Sequence, residues 1–234
     1  MSSTNTPRHR ALLVITSHAR LGDSGRATGY TVSEAADAWR VFAVAGWQTD
    51  ITTVRGGRPP EDEFGDPSRP GHAAWAADPV VQAKLDSAPA VHDTDPAGYD
   101  VVYFVGGHGT MWDYFPGSAQ LSRPAAHVYE RGGVVASVCH AASALTSLQL
   151  SDGSLLIANR QIAAFTDSEE RAMGLDSVVP FLLQSRLERL GAEVVTADPW
   201  EYQVVTDGRL ITGQNPASAA NVAEQAVATV AGRH

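Results

Sequence analysis

Residues 134–145 read VVASVCHAASAL, an apolar run that passes directly into small, helix-forming residues. The first five residues are typical of a strand buried on both faces of a parallel sheet. Cys139 and His140 stand at the junction, and Ala141 and Ala142 leave room for a sharp reversal of the chain. The stretch therefore predicts a strand that ends in a strained turn, with the cysteine side chain projecting into a pocket.

Strands and helices alternate on both sides of this turn. Before it, the patterns predict strands at 11–16, 48–54 and 100–105 and helices at 31–45, 74–86 and 118–131. After it, they predict a helix at 141–148, a strand at 161–165, a helix at 179–190, a hairpin of 202–206 with 209–212, and a last helix beyond Pro216. The alternation predicts an α/β, flavodoxin-like fold: a doubly wound, mostly parallel sheet flanked by helices on both faces, with a small C-terminal β-hairpin.

Length and composition favour one globular domain, residues 11–234, behind a flexible tail, residues 1–10. Hydrophobic residues make up 44% of the chain and charged residues 18%, which is globular rather than disordered. The net charge is −9 and Lys84 is the only lysine, so we expect no nucleic-acid partner. No apolar stretch reaches the ~20 residues that cross a bilayer, so we expect no membrane partner. The single cysteine and the polar N-terminus favour a reducing, cytoplasmic location.

Residues at the ends of neighbouring strands are the candidates for a site. Ligands of such folds bind at the carboxyl ends of the parallel strands, where residues 106–109 (GGHG) should meet Cys139. The histidines form no H-x-H or H-E-x-x-H motif, so a zinc site would need residues from distant positions, and we expect no metal. The glycines form no phosphate-binding motif, so we expect no cofactor.

The stretch from residue 103 to residue 145 resembles the ThiJ/PfpI superfamily, which has the class I glutamine amidotransferase-like fold. Within it the chain is similar to the glyoxalase III and heat-shock-chaperone branch. The resemblance extends in order through TG and SEA at 28–29 and 33–35, FTD and EE at 165–167 and 169–170, and DGRL and GQNPAS at 207–210 and 213–218. One departure is that Ala141 and Ala142 replace the Gly and Pro that commonly follow the Cys-His pair. This departure leaves the substrate less defined than the fold.

The resemblance implies a lyase that converts methylglyoxal, a small reactive carbonyl, to lactate without glutathione or metal, in a homodimer. It implies a role for each of seven residues: Cys139 as nucleophile, His140 as base, Glu170 as the carboxylate that orients it, Glu34 beside the sulfur, and Gly106, Gly107 and His108 around the substrate oxygen. Backbone N–H groups at Gly106, Gly107 and His140 would then stabilise an oxyanion.

Two of the acidic residues have competing interpretations. Glu169 rivals Glu170 as the partner of His140, because both stand in an acidic run that also suits the first turn of a helix. Glu34 could close a T-x-x-E capping box with Thr31 instead of meeting the thiol. If Cys139 opens a helix beside an imidazolium, its pKa should fall and the thiolate should prevail at neutral pH, with Glu34 protonated.

Two other classes of function fit the same sequence. One is a different cysteine-dependent reaction on this fold, isonitrile hydration or amide hydrolysis, for which Ala141 and the long loop 55–70 would be the discriminating features. The other is a non-enzymatic role as a stress chaperone or as an oxidation sensor through Cys139. An exposed apolar patch would favour the chaperone.

Overall fold

The computed structural model of the protein describes residues 9–115 and 119–232. Its strands are β1 (Arg10–Ile15), β2 (Gln48–Thr53), β3 (Val101–Phe104), β4 (Val134–Val138), β5 (Gln161–Ile162), β6 (Glu193–Val194), β7 (Val204–Asp207) and β8 (Leu210–Gly213). Its α-helices are α1 (Val32–Val44), α2 (Pro70–Ala77), α3 (Pro79–Asp86), α4 (Thr110–Asp113), α5 (Ala119–Glu130), α6 (Asp167–Ala172), α7 (Leu183–Arg189) and α8 (Ala219–Ala231). Short 3-10 helices cover Val91–Asp93, Cys139–Thr146 and Pro216–Ser218.

Six strands form one mostly parallel sheet in the order β2-β1-β3-β4-β8-β7, and helices flank it. Only β7 is antiparallel to its neighbour. The C-terminal hairpin is thus the edge of the main sheet, because β8 also pairs in parallel with β4. The predicted α/β, mostly parallel architecture is confirmed, and β5 and β6 add a separate two-stranded parallel sheet.

The middle of the sheet is apolar because it is covered on both faces. Every residue of β3 and β4 is buried, and β4 lies between β3 and β8. Helix α8 packs on β4 and on α1, and α5 packs on β3 and β4. Such two-sided burial explains the continuous apolar runs that marked these strands in the sequence. The carboxyl end of β4 is thereby held rigidly from both sides.

Several predicted boundaries differ from the structure. Residues 1–8 of the predicted tail lie outside the described residues, whereas Arg10 belongs to β1 and its guanidinium binds Asp50 at 2.7 Å. The helix predicted at 74–86 is two helices, because the Asp78 side chain accepts hydrogen bonds from the N–H groups of the turn that Pro79 opens. Residue 118, the predicted start of the next helix, also lies outside the described residues. No helix in the described ranges is long and apolar enough to span a bilayer.

Elements after the central turn are shorter than predicted. The strand expected at 161–165 is limited to β5, and the helix expected at 179–190 begins at Leu183. Two short helices, α4 and α6, were not predicted as elements. Helix α6 is only six residues long, so its apolar period is too short to be visible in the sequence.

Truncation of a side chain in the central sheet should weaken the fold strongly. Leu13 of β1 is fully buried, so Leu13→Ala should lower the free energy of unfolding by about 2–5 kcal/mol. Val44→Ala is the matched control, because Val44 is 82% exposed and its loss should cost less than about 0.5 kcal/mol. Urea unfolding followed by circular dichroism measures both. Equal losses in the two variants would contradict this account of the core.

Candidate active site

The turn at the end of β4 places Cys139 in a strained backbone conformation. Cys139 is the first residue of the 3-10 helix Cys139–Thr146 and has a φ of 58°, in the left-handed region that non-glycine residues seldom adopt. Its side chain is buried, with 3% of its surface exposed. The predicted strain is therefore confirmed, while the helix expected at 141–148 is a 3-10 helix that begins at the cysteine itself.

Cys139, His140 and Glu170 form a continuous hydrogen-bonded chain. The sulfur lies 3.3 Å from His140 Nδ1, and His140 Nε2 lies 2.8 Å from Glu170 Oε2. All three residues are buried. Burial by itself raises the pKa of Glu170, but the two neighbouring histidines outweigh it and hold that pKa well below its ordinary range. The carboxylate can thus orient His140 and stabilise its protonated form.

His108 shares the same carboxylate from the other side. Its Nε2 lies 3.1 Å from Glu170 Oε1, and its ring centroid lies 3.9 Å from that of His140. Burial is the main cause that lowers the pKa of His108, and the nearby His140 lowers it further. Glu170 therefore bridges two imidazoles. The sequence placed His108 near the substrate but did not reveal this shared carboxylate.

His108, His140 and Glu170 also present the donor set of a possible metal site. Their donor atoms lie within 4.8 Å of one another and all three residues are buried. The three residues come from distant positions in the chain, so no short sequence motif predicts this cluster. Imidazole and carboxylate donors of this kind suit divalent ions such as zinc. In the present arrangement each donor atom faces a hydrogen-bond partner within the cluster.

The two adjacent glutamates of α6 point to different partners. Glu169 closes a capping box with Thr166, whose hydroxyl accepts a hydrogen bond from the Glu169 N–H. Its Oε1 accepts hydrogen bonds from the Trp200 N–H at 2.9 Å and the Asn215 side chain at 2.9 Å. The structure therefore brings Glu170, and not Glu169, to the histidine.

Glu34 lies fully buried at the other side of the cysteine. Its Oε2 accepts a hydrogen bond from the Gly106 N–H at 2.9 Å, and Thr31 makes no side-chain cap, so the capping box is not formed. Its Oε1 makes no hydrogen bond of ordinary geometry among the described residues, although the Cys139 thiol lies close enough to interact with this carboxyl, as predicted. Burial raises the pKa of Glu34 to about 8, although interactions with the Cys139 thiol and the Gly106 N–H oppose that rise. Glu34 is thus mostly protonated at neutral pH.

The expectation of a free thiolate at neutral pH is wrong for this structure. Burial is the main cause that raises the pKa of Cys139, and the Glu34 carboxyl raises it further. The His140 N–H lowers it, but one backbone donor at the start of a 3-10 helix does not outweigh the loss of solvent. His140 Nδ1 lies close enough to the sulfur to accept the proton of the thiol when it reacts.

Two backbone N–H groups near the cysteine already donate hydrogen bonds to carboxyl side chains. The Gly106 N–H holds Glu34, and the His108 N–H donates to Asp62 Oδ2 at 3.2 Å. A Cβ at Gly106 would lie 2.4 Å from Glu34 Oε2, which explains the glycine. Gly107 has a φ of 114°, which favours glycine for the same sharp loop. Of the expected oxyanion donors, Gly106 therefore serves the carboxyl instead.

A small cavity opens onto the sulfur. Its volume is about 130 Å³. The lining residues are Thr31, Phe64, His108, Cys139, His140, Phe165, Met173, Trp200 and Pro216. A larger groove of about 890 Å³ along α5 contains no cysteine, so volume does not decide the site. Phe64, Met173 and Trp200 were missed from the sequence because they come from three separate loops and helix ends.

Known proteins are similar to this chain over nearly its whole length. Residues 26–229 match the DJ-1/PfpI family. The chain belongs to the DJ-1/PfpI family. It is 32% identical to glyoxalase 3 of Candida albicans over 230 residues, which covers 94% of this chain and 97% of the relative.

Solved structures agree with this assignment. Rapid Encystment Protein 24 kDa of Francisella tularensis superposes with a TM-score of 0.90 at 30% identity and covers 95% of this chain and 99% of that one. Glyoxalase III from Candida albicans superposes with a TM-score of 0.86 at 29% identity and covers 94% and 97%. The two proteins therefore share the fold of this chain over nearly its whole length.

In this DJ-1/PfpI protein, the two alanines that follow the Cys-His pair fit the turn without a strained backbone. Ala141 and Ala142 are fully buried, and neither has a positive φ. Small size, and not the special freedom of glycine, is what the turn requires at these two positions. The turn that holds Cys139 therefore accommodates alanine at both positions.

Removal of the Glu34 carboxyl should make Cys139 reactive at lower pH. After burial, this carboxyl is the strongest cause that raises the pKa of Cys139, so Glu34→Gln should shift the alkylation profile toward acid. The measurement is the rate of iodoacetamide alkylation from acidic to alkaline pH, followed by intact mass. Cys139→Ser is the blank, and Glu224→Gln, an exposed substitution on α8, is the charge-matched control. An unchanged or more alkaline profile in Glu34→Gln would contradict the role given to this carboxyl.

Proposed function

We propose that this protein is a glutathione-independent glyoxalase that converts methylglyoxal to lactate through a thiohemiacetal on Cys139. The observation that supports it most is the buried chain from sulfur to His140 to Glu170 at a small cavity. The similarity to glyoxalase 3 of Candida albicans over nearly the whole chain supports the same reaction.

The first step is addition of the thiol to the aldehyde carbon. The sulfur forms a bond to that carbon while its proton passes to His140 Nδ1, which lies 3.3 Å away. The aldehyde oxygen becomes an oxyanion and takes that proton from His140 to give the thiohemiacetal, which leaves His140 neutral for the second step. The N–H groups of Gly107 and His140 are the proposed donors to this oxygen.

The second step moves a hydrogen between the two carbons of the bound dicarbonyl. His140 removes the proton from the former aldehyde carbon, and the resulting enediol is protonated at the neighbouring carbon. The aldehyde carbon is thereby oxidised to a thioester while the ketone carbon is reduced to an alcohol, so no external oxidant or reductant is needed. Glu170 stabilises the imidazolium that forms in each proton transfer.

Hydrolysis completes the cycle. Water adds to the thioester carbon, the carbon–sulfur bond breaks, and lactate leaves as the thiol regains a proton. Glu34, which is mostly protonated at neutral pH, can donate a hydrogen bond to the departing sulfur. The net change is addition of one water to methylglyoxal, without glutathione.

The alternatives have weaker support. A cavity of about 130 Å³ suits a three-carbon substrate better than a large amide. Among the described residues, the large exposed apolar side chains come from three separate parts of the chain: Val44 from α1, Val80 from α3, and Trp200 with Tyr202 from one loop, which gives the chaperone role little support. Isonitrile hydration would use the same thiol, and a direct assay with an isonitrile separates it from the proposed reaction.

The assembly and location stay predictions. We propose a homodimer, which is the commonest symmetric assembly of soluble proteins. Light scattering of the purified chain should give twice the mass of one chain. A cytoplasmic location is proposed from the single cysteine, which suits a reducing compartment.

Two substitutions should abolish or impair lactate formation. Cys139→Ser should remove measurable turnover of methylglyoxal, because the nucleophile is lost. Glu170→Gln should lower kcat by about 100-fold or more, because general acid–base catalysis of this kind contributes about 10²–10⁴-fold. The assay is lactate formation from methylglyoxal by the purified protein without glutathione.

Glu224→Gln, an exposed substitution on α8, should leave kcat unchanged. Wild-type protein that fails to form lactate, or Cys139→Ser protein that forms it at the wild-type rate, would refute the proposed function. A Glu170→Gln variant with full activity would refute only the role given to that carboxylate and would leave the proposed function standing.

A further inference from the structure

A tryptophan both lines the active-site cavity and faces solvent. Of the nine residues that line the cavity, Trp200 is the most exposed, with half of its surface open to solvent. The reacting sulfur behind it is only 3% exposed. Trp200 is therefore the lining residue that a compound arriving from solvent can contact most readily.

Trp200 is connected to His140 through the ring of Phe165. Its ring meets the Phe165 ring edge-on, with centroids 5.9 Å apart. Phe165 in turn lies 4.1 Å from the His140 ring. The tryptophan is thus the outer member of a row of three rings that ends at the proposed base.

The backbone around Trp200 is held by hydrogen bonds to two buried side chains. The Trp200 N–H donates to Glu169 Oε1, and the next carbonyl, that of Glu201, accepts a hydrogen bond from Asn215 Nδ2 at 2.7 Å. The same Asn215 amide also donates to Glu169 Oε1. A buried carboxylate therefore holds the segment directly on one side of Trp200 and through Asn215 on the other.

Further contacts anchor the ends of the segment. The Ala197 N–H donates to Gln214 Oε1 at 2.9 Å, and the Gln203 N–H donates to Ser218 Oγ at 3.1 Å. Trp200 itself has a φ of 71°, a left-handed conformation that a bulky residue adopts only when its surroundings impose it. The fold thus holds a large aromatic side chain in a strained conformation at the entrance to the site.

We propose that Trp200, held in place by Glu169, sets the size of the compounds that reach Cys139. The Trp200 side chain is the wall of this entrance. Glu169 acts as a positioning residue, since it binds the backbone N–H of Trp200 and does not touch the sulfur. The proposal rests on the proposed function only in taking Cys139 as the reacting group. Small carbonyl compounds pass the wall, and compounds that carry an aromatic ring are excluded.

The test uses two alkylating reagents that share one reactive group. Iodoacetamide is small, and iodoacetanilide adds a phenyl ring to the same iodoacetyl amide. Because Cys139 is the only cysteine of the chain, intact mass reports its alkylation without ambiguity. The quantity measured is the ratio of the two rate constants, iodoacetanilide over iodoacetamide, which cancels changes in the reactivity of the thiol itself.

Trp200→Gly should raise this ratio about tenfold or more, because removal of a wall residue lets the ring pass. Glycine also relieves the left-handed backbone conformation, so the fold should be retained. Trp200→Phe should give a ratio between those of wild type and Trp200→Gly. Glu169→Gln should raise the ratio in the same direction, because the segment loses the charge on its anchor.

Tyr202→Ala is the matched control, because Tyr202 lies on the same segment, is 61% exposed and does not line the cavity. Its ratio should equal that of wild type. An unchanged ratio in Trp200→Gly, or an equal rise in Tyr202→Ala, would overturn the proposal. If Trp200→Gly does not fold, as judged by circular dichroism, the ratio of Trp200→Phe decides: a wild-type value overturns the proposal.

This readout needs no turnover of methylglyoxal, so it separates the two proposals. A protein that forms no lactate but shows the predicted ratios retains the size-selecting wall and loses only the proposed function. In a protein that does form lactate, Trp200→Gly should also raise kcat/KM for phenylglyoxal relative to methylglyoxal. A merely structural role of Trp200 would lower both values together.

Discussion

The backbone conformation of Cys139 is the constraint on which the site depends. A non-glycine residue in the left-handed region costs of order 1–3 kcal/mol, which the surroundings must offset. The offset comes from β4, which is fully buried and paired in parallel on both edges, and from the buried 3-10 helix that follows. In this conformation the sulfur lies 3.3 Å from the imidazole of the next residue. In an ordinary strand or helix, the side chains of consecutive residues would point in different directions.

Three buried carboxyl groups around this turn show how environment decides chemical role. Glu34 faces a thiol and one N–H, so burial prevails and raises its pKa to about 8. Glu170 faces two imidazoles, so its pKa falls despite burial and it remains a carboxylate. Glu169 binds only N–H and O–H donors and serves the backbone. One fold thereby supplies a proton donor, a charge partner and an anchor from the same residue type.

Much of this arrangement follows from local sequence. The apolar run at 134–138 coincides with β4, and the Cys-His junction predicted the strained turn. The acidic pair at 169–170 indicated the partner of His140 only with the aid of the family resemblance. Three features were not predicted from the sequence: the 3-10 form of Cys139–Thr146, the raised pKa of Cys139 and the position of Trp200 at the cavity. Each depends on burial or on contacts between residues far apart in the chain, which local patterns do not encode.

Helix α6 connects these features, because consecutive residues of a helix point about 100° apart at 3.6 residues per turn. With Glu170 directed at the two histidines, Glu169 necessarily faces a different side, where the segment around Trp200 lies. The capping box with Thr166 fixes the first turn of the helix and so fixes both carboxylates at once. A shift of α6 would therefore disturb the orientation of His140 and the entrance to the cavity together. Through these two adjacent glutamates, the orientation of His140 and the position of the Trp200 segment depend on the same turn of helix.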